Sequence, residues 1–161
     1  MARPTPQLPR VVIYTDGACL GNPGPGGYGV VLIQGPNRLE LSGGYHLTTN
    51  NRMEIMAAIA GLEALTQSCT VSLISDSQYL VNAMERGWAA KWKANKWMRN
   101  KTEKAINPDL WERLLLLCSK HDVTFSWVRG HSGTKENERC DRLAVAAAQG
   151  KGLLIDSGYR P

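Results

Sequence analysis

From Val11 to Cys19 the chain is almost continuously apolar, VVIYTDGAC, and it then enters Gly21-Asn22-Pro23-Gly24-Pro25-Gly26-Gly27. A short apolar run closed by glycine and proline predicts a buried strand ending in a loop. Tyr28–Gln34 and Leu39–Leu47 repeat the strand pattern on either side of the turn Gly35-Pro36-Asn37. Three consecutive strands are therefore expected as an antiparallel meander. From Asn51 to Leu65 the period changes, with Met53, Met56, Ile59, Ala60 and Ala64 at helical spacing. A strand Thr70–Ser75, a helix from near Ser77 and a helix begun at Asn107-Pro108-Asp109 follow. A last strand Val123–Val128, a polar loop His131–Glu138 and an alanine-rich helix Glu136–Gln149 complete the pattern, and Gly150 and Gly152 stop that helix. Strands first, then helix–strand alternation, predict an α/β fold: a five-stranded mixed sheet, its first three strands antiparallel, with helices on both faces.

The length of 161 residues suits one domain with its own core, expected over residues 10–150. Residues 1–9 hold three prolines and no apolar stretch, so they read as a disordered tail and not as a secretory signal. Residues 151–161 read as a C-terminal tail. No run approaches the length of a membrane span, and a membrane partner is not expected. The four cysteines, Cys19, Cys69, Cys118 and Cys140, form neither CxxC pairs nor Cys/His clusters. They read as free, buried or partly buried thiols in a reducing cytoplasm, which excludes a zinc site and a disulfide framework.

Charge changes the picture more than composition does. The net charge is +5, yet residues 86–104 alone hold seven basic residues against one acid, Glu103, so the whole excess sits in one patch. A concentrated basic patch points to a polyanionic partner.

Four acids stand out against this background. Asp16 lies inside an apolar strand; it is either a turn aspartate before Gly17 or a carboxylate kept for a partner, since an unpaired buried charge is expensive. Glu54 follows Asn51 at capping-box spacing, and a cap is the better reading of it alone. Its helical neighbours Ala57, Ala58 and Gly61 would also let it approach the sheet closely. Asp76 is an N-cap candidate that also stands at the C-terminal end of a strand, where α/β sheets place ligands. Asp141, in the last helix, reads alone as a solvated acid. Four carboxylates converging on one sheet face would need cations, and Mg²⁺ is the oxygen-seeking choice. Two such ions roughly 3.5–4 Å apart clamp an in-line phosphoryl displacement.

The segments TDGACLGNPGPGGYG (Thr15–Gly29), TTNNRMEIMAA (Thr48–Ala58), SDSQYL (Ser75–Leu80) and HSGTKENERCDRLA (His131–Ala144) stand in one order and spacing. In this they closely resemble bacterial type 1 ribonuclease H from Val11 to Ala148. The resemblance implies the ribonuclease H-like fold and metal-dependent cleavage of the RNA strand of RNA–DNA hybrids, with 5′-phosphate and 3′-hydroxyl products. It implies two Mg²⁺ ions, with Mn²⁺ as an alternative, and a monomer without the added hybrid-binding domain of eukaryotic relatives. Asp16, Glu54, Asp76 and Asp141 match the family's metal-binding catalytic acids, and His131, between Gly130 and Gly133, matches its mobile catalytic histidine. Gly17, Cys19, Asn22, Asn50, Asn51 and Gln78 match positions lining the RNA strand, where amide and backbone groups can read 2′-hydroxyls. Asn22, Asn50 and Asn51 read equally as turn and cap residues.

Trp88–Lys101 resembles the family's basic protrusion. Trp88 and Trp92 stand one helical turn apart, as either core packing or DNA contacts, while Lys91, Lys93, Lys96 and Lys101 match phosphate contacts. Thr49 matches a phosphate ligand. The chain departs from the family pattern at Leu47, where a basic residue is found in homologues, and at Lys91, often an asparagine. The rival readings are another nuclease of the same fold, of resolvase or integrase type, and an inert hybrid-binding module. The His131 loop, the paired asparagines and the basic protrusion count against the first. A lost carboxylate would mark the second, and all four are retained.

Overall fold

The computed structural model of the chain describes residues 7–130 and 133–161. Strands β1 (Arg10–Cys19), β2 (Gly24–Gln34) and β3 (Asn37–Thr48) form the expected meander. Helix α1 (Asn50–Glu63) leads to β4 (Thr70–Ser75), and helices α2 (Gln78–Glu85), α3 (Trp88–Ala94) and α4 (Pro108–Cys118) precede β5 (Asp122–Trp127) and α5 (Lys135–Ala148). The sheet order is β3-β2-β1-β4-β5, with β4 parallel to β1 and β5 parallel to β4. This is the mixed five-stranded sheet that the pattern predicted. No helix among the described residues is long and apolar enough to cross a membrane.

Alternation along β2 puts α1 and α5 on opposite faces. A side chain at Gly26 would meet Met53 of α1, whereas one at Gly27 or Gly29 would run into α5 backbone at Ala144 or Cys140. This explains one departure from expectation. The glycine-rich stretch taken as a loop to residue 27 already belongs to β2 from Gly24, because glycine lets α5 lie directly on the strand. The main core fills the space under α1 with Val11, Ile13, Val30, Ile55, Ile59, Leu62 and Leu73. Trp111 of α4 is fully buried, with Tyr79 and Trp92 set edge-on against it at 5.3 and 6.2 Å between ring centroids.

The segment 151–161, expected as a tail, is docked. Leu154 N–H donates to Gly44 C=O (3.0 Å) and Leu154 C=O accepts from His46 N–H (2.8 Å), along the outer edge of β3. At the opposite edge, Glu85 Oε1 accepts from Phe125 N–H of β5 (2.6 Å). Both sheet edges thus have backbone groups covered without a further strand. All four cysteines are free, with Cys69 and Cys140 buried and Cys19 and Cys118 half-buried.

Candidate active site

Parallel pairing of β1 with β4 aligns Thr15 with Ser75, so the next residues, Asp16 and Asp76, leave the sheet side by side at its C-terminal end. Glu54 arrives from the first turns of α1, above Gly17. A Cβ at Gly17 would lie 2.5 Å from the Glu54 nitrogen, so only glycine admits the helix this close. Ligand oxygens of Asp16, Glu54 and Asp76 then all fall within 4.8 Å of one another.

Neither capping role read from the sequence is taken by these acids. Thr49, not Asn51, caps α1, its hydroxyl accepting from Arg52 N–H (3.2 Å), so Glu54 has no part in a capping box. Ser77, not Asp76, caps α2, accepting from Leu80 N–H (3.1 Å). Asp76 is held through its backbone instead, where Trp127 Nε1–H donates to its carbonyl (3.0 Å). The chain beyond β5 also closes on it, since a Cβ at Gly130 would lie 2.8 Å from Asp76 Oδ2. Asp141 stands outside the trio. Its helix crosses Gly29, the cross-strand partner of Asp16, and its charge reaches the Asp16 carboxyl.

Three carboxylates this close raise one another's cost of ionisation, and the electrostatics follow. Burial, then the neighbouring charge of Asp76, pushes the Asp16 carboxyl up to about 8. Glu54 is raised well above the ordinary carboxylate range by burial, then by the charges of Asp16 and Asp76. Glu54 Oε2 is buried with no hydrogen-bond partner. Orphaned buried carboxylate oxygens in a cluster of like charge have the chemistry of a hard-cation site.

Around the trio, Asn22 Oδ1 accepts from Asn50 N–H (3.1 Å), which ties the loop after β1 to the start of α1. Cys19 Sγ donates to the carbonyls of Gly24 (3.4 Å) and Thr48 (3.5 Å). Asn51 and Gln78 are exposed on the first turns of their helices. His131 lies outside the described residues. In the protrusion, Trp92 packs against Trp111, whereas Trp88 is 37 % exposed with the Arg86 guanidinium 5.7 Å from its ring centre. Lys91, Lys93, Lys96 and Lys101 are all exposed. Tyr79, Arg99 and Ile106, which sequence reasoning passed over, join Trp88 and Trp92 around an open hollow of about 390 Å³.

The other feature missed is Arg52, buried to 2 % exposure two residues before Glu54. It donates to both oxygens of Asp109 (2.9 and 2.7 Å), to both of Asp156 (2.7 and 2.9 Å) and to Asn107 Oδ1 (3.2 Å). Its sequence signal was an arginine heading the apolar stripe Ile55, Met56, Ile59.

A family model described as RNase H matches residues 9–149. The chain is similar to a protein named Ribonuclease H from Syntrophus aciditrophicus, 71 % identical over 150 residues, covering 93 % of this chain and 87 % of the relative. It is also similar to a Ribonuclease H from Trichodesmium erythraeum, 61 % identical over 156 residues, covering 97 % and 99 %. Among solved structures, LC9-RNase H1, a type 1 RNase H, superposes with a TM-score of 0.80 at 34 % identity, covering 98 % of this chain and 81 % of the other. LC11-RNase H1, solved in complex with an RNA/DNA hybrid, superposes with a TM-score of 0.64 at 26 % identity, covering 86 % and 96 %.

Proposed function

The chain belongs to the ribonuclease H family and is a hydrolase of that kind; from this premise we propose that it cuts the RNA strand of RNA–DNA hybrids with two divalent cations, Mg²⁺ or alternatively Mn²⁺, leaving 5′-phosphate and 3′-hydroxyl ends. The observation that carries the reading is the trio of carboxylates whose ligand oxygens lie within 4.8 Å, one of them orphaned. Asp16, Glu54 and Asp76 would hold the ions, with Asp141 completing the set from α5. When bound, such ions activate a water and neutralise charge on the attacking and leaving oxygens of an in-line displacement.

The protein's own work is position and charge. Gly17 keeps α1 on the sheet, so Glu54 is brought to Asp16 and Asp76 without a side chain between them. Asn50, Asn51, Gln78 and Asn22, with Gly17 and Cys19, are assigned to the RNA strand, where their amide and backbone groups suit 2′-hydroxyls. Thr49 uses its oxygen lone pair for the helix cap, which leaves its O–H to donate to a phosphate. His131 is assigned to proton transfer or to product departure. Lys91, Lys93, Lys96 and Lys101 would neutralise backbone phosphates, and Trp88 with the uncovered part of Trp92 would contact the DNA strand. With Leu47 in place of a basic residue, more of the phosphate contact falls to this protrusion. The test is cleavage of an end-labelled hybrid in Mg²⁺, with DNA and RNA duplexes and a chelator as controls. Cleavage confined to the RNA of the hybrid, with 5′-phosphate ends, is expected; equal cleavage of a DNA duplex would refute the assignment.

A further inference from the structure

Arg52 sits between residues assigned to the RNA strand and a residue assigned to the metal, yet its side chain points to neither. It binds two acids distant in sequence: Asp109 at the start of α4, and Asp156 in the docked C-terminal segment. Asp156 is itself held, because Thr48 Oγ1 donates to its Oδ2 (2.7 Å), and its segment is laced to β3 at Leu154. The packing at this point is close, as a Cβ on Gly158 would run into the Asp109 carboxylate and the Arg52 guanidinium. The first turn of α1 is therefore gripped from two sides, by the sheet at Gly17 and by the Arg52 ion pairs.

We propose that Asp156 is a positioning residue: through Arg52 it fixes the first turn of α1, and with it the placement of Glu54 toward the metal. The proposal rests on the metal reading above and extends it to residues 151–161. A fork-to-carboxylate pair suits this task, since two parallel bonds fix direction as well as distance. A buried ion pair adds little net stability over a well-packed apolar replacement, which leaves room for a geometric role here. Positioning also matters here because nothing else hydrogen-bonds Glu54 Oε2 among the described residues. The exposed pair Arg113–Glu63 (2.8 Å), at the other end of the same helix, provides the contrast.

The test is Mn²⁺ binding by calorimetry to the full chain without substrate, well below each variant's melting temperature, together with amide exchange over residues 52–55. Asp156→Asn should raise the Mn²⁺ dissociation constant at least threefold and speed exchange of those amides selectively, whereas Glu63→Gln should leave both unchanged. Should Asp156→Asn fail to fold, Thr48→Val removes only the hydroxyl bond to Asp156 and should shift both readouts in the same direction by a smaller factor. Affinity within twofold of wild type for a folded Asp156→Asn would overturn the proposal. Equal weakening by Glu63→Gln would overturn it too, by showing a general loosening of α1. Absence of Mn²⁺ binding in the wild type would instead refute the metal reading itself.

Discussion

Two buried charges on one turn of α1 meet opposite fates. Arg52 has all three guanidinium nitrogens engaged by Asp109, Asp156 and Asn107. Glu54, two residues on, faces the like charges of Asp16 and Asp76, with one oxygen unpartnered among the described residues. Burying a charge is tolerated when the fold supplies its partner, so the Arg52 cluster is complete in itself. The Glu54 cluster has the make-up of a site that a cation from outside would complete. The difference separates structure from function more sharply than burial does, because both residues are buried to a similar degree.

The largest way to break the contrast is to remove charge from the unpaired side. Asp16→Asn keeps the shape but not the ligand, and it should abolish hybrid cleavage in Mg²⁺ while metal-free hybrid binding survives. Turnover like the wild type's would remove Asp16 from the site. Next, His131→Ala should slow turnover by roughly 10²–10⁴-fold, the range of lost acid–base help, without abolishing it. Weakened hybrid affinity at an unchanged saturated rate would make His131 a binding residue instead.

On the paired side the expected loss is in stability. Arg52→Met leaves the largely covered Asp156 with the Thr48 hydroxyl but without its ion-pair partner, and should cost about 3–5 kcal/mol, measured by urea unfolding. A change below ~1 kcal/mol, the scale of an exposed pair, would mean that the cluster is not a buried unit. The smallest effect concerns the protrusion, whose charges are exposed and belong to neither cluster. Replacing Lys93, Lys96 and Lys101 together by alanine should flatten the dependence of log K on log salt by about one to a few units. The saturated rate and the preference for RNA should persist. An unchanged salt slope would leave the patch as solubilising charge.

Much of the fold was legible because its signals are local. Alternation and turn residues mark β1 to β3, and the apolar stripe marks α1. The strand character of Gly24–Gly27 was hidden, since glycine and proline signal a loop and only the packing of α5 explains their place in β2. The four acids were legible through the resemblance of their motifs, each having a bland local reading. The side-by-side placement of Asp16 and Asp76 depends on the parallel register of β1 with β4, a long-range fact. Arg52 escaped because its partners lie 57 and 104 residues away in sequence, and nothing near Asp156 marks that segment as part of the fold.

The claim that the carboxylates are held unpaired for a cation is tested most directly by thermal unfolding of the wild type and Asp16→Asn between pH 4 and 8, in chelator and with Mn²⁺. The folded Asp16 carboxyl is raised from 3.8 to about 8, so between those values the folded state holds a proton that the unfolded chain has released. Stability from this group is therefore present at low pH and lost as pH rises through the window. The acids held low by arginine, Glu40 and Asp109, act in the opposite sense and in a more acidic range, Glu40 between 4.5 and about 2. In chelator, Asp16→Asn should melt above the wild type, by a margin that grows with pH to roughly 2–12 °C if ~1–3 kcal/mol of desolvation is relieved. Mn²⁺ should close that gap by raising the wild type and leave the variant almost unmoved. A variant that melts below the wild type in chelator at pH 8, with an equal response of both proteins to Mn²⁺, would contradict the account.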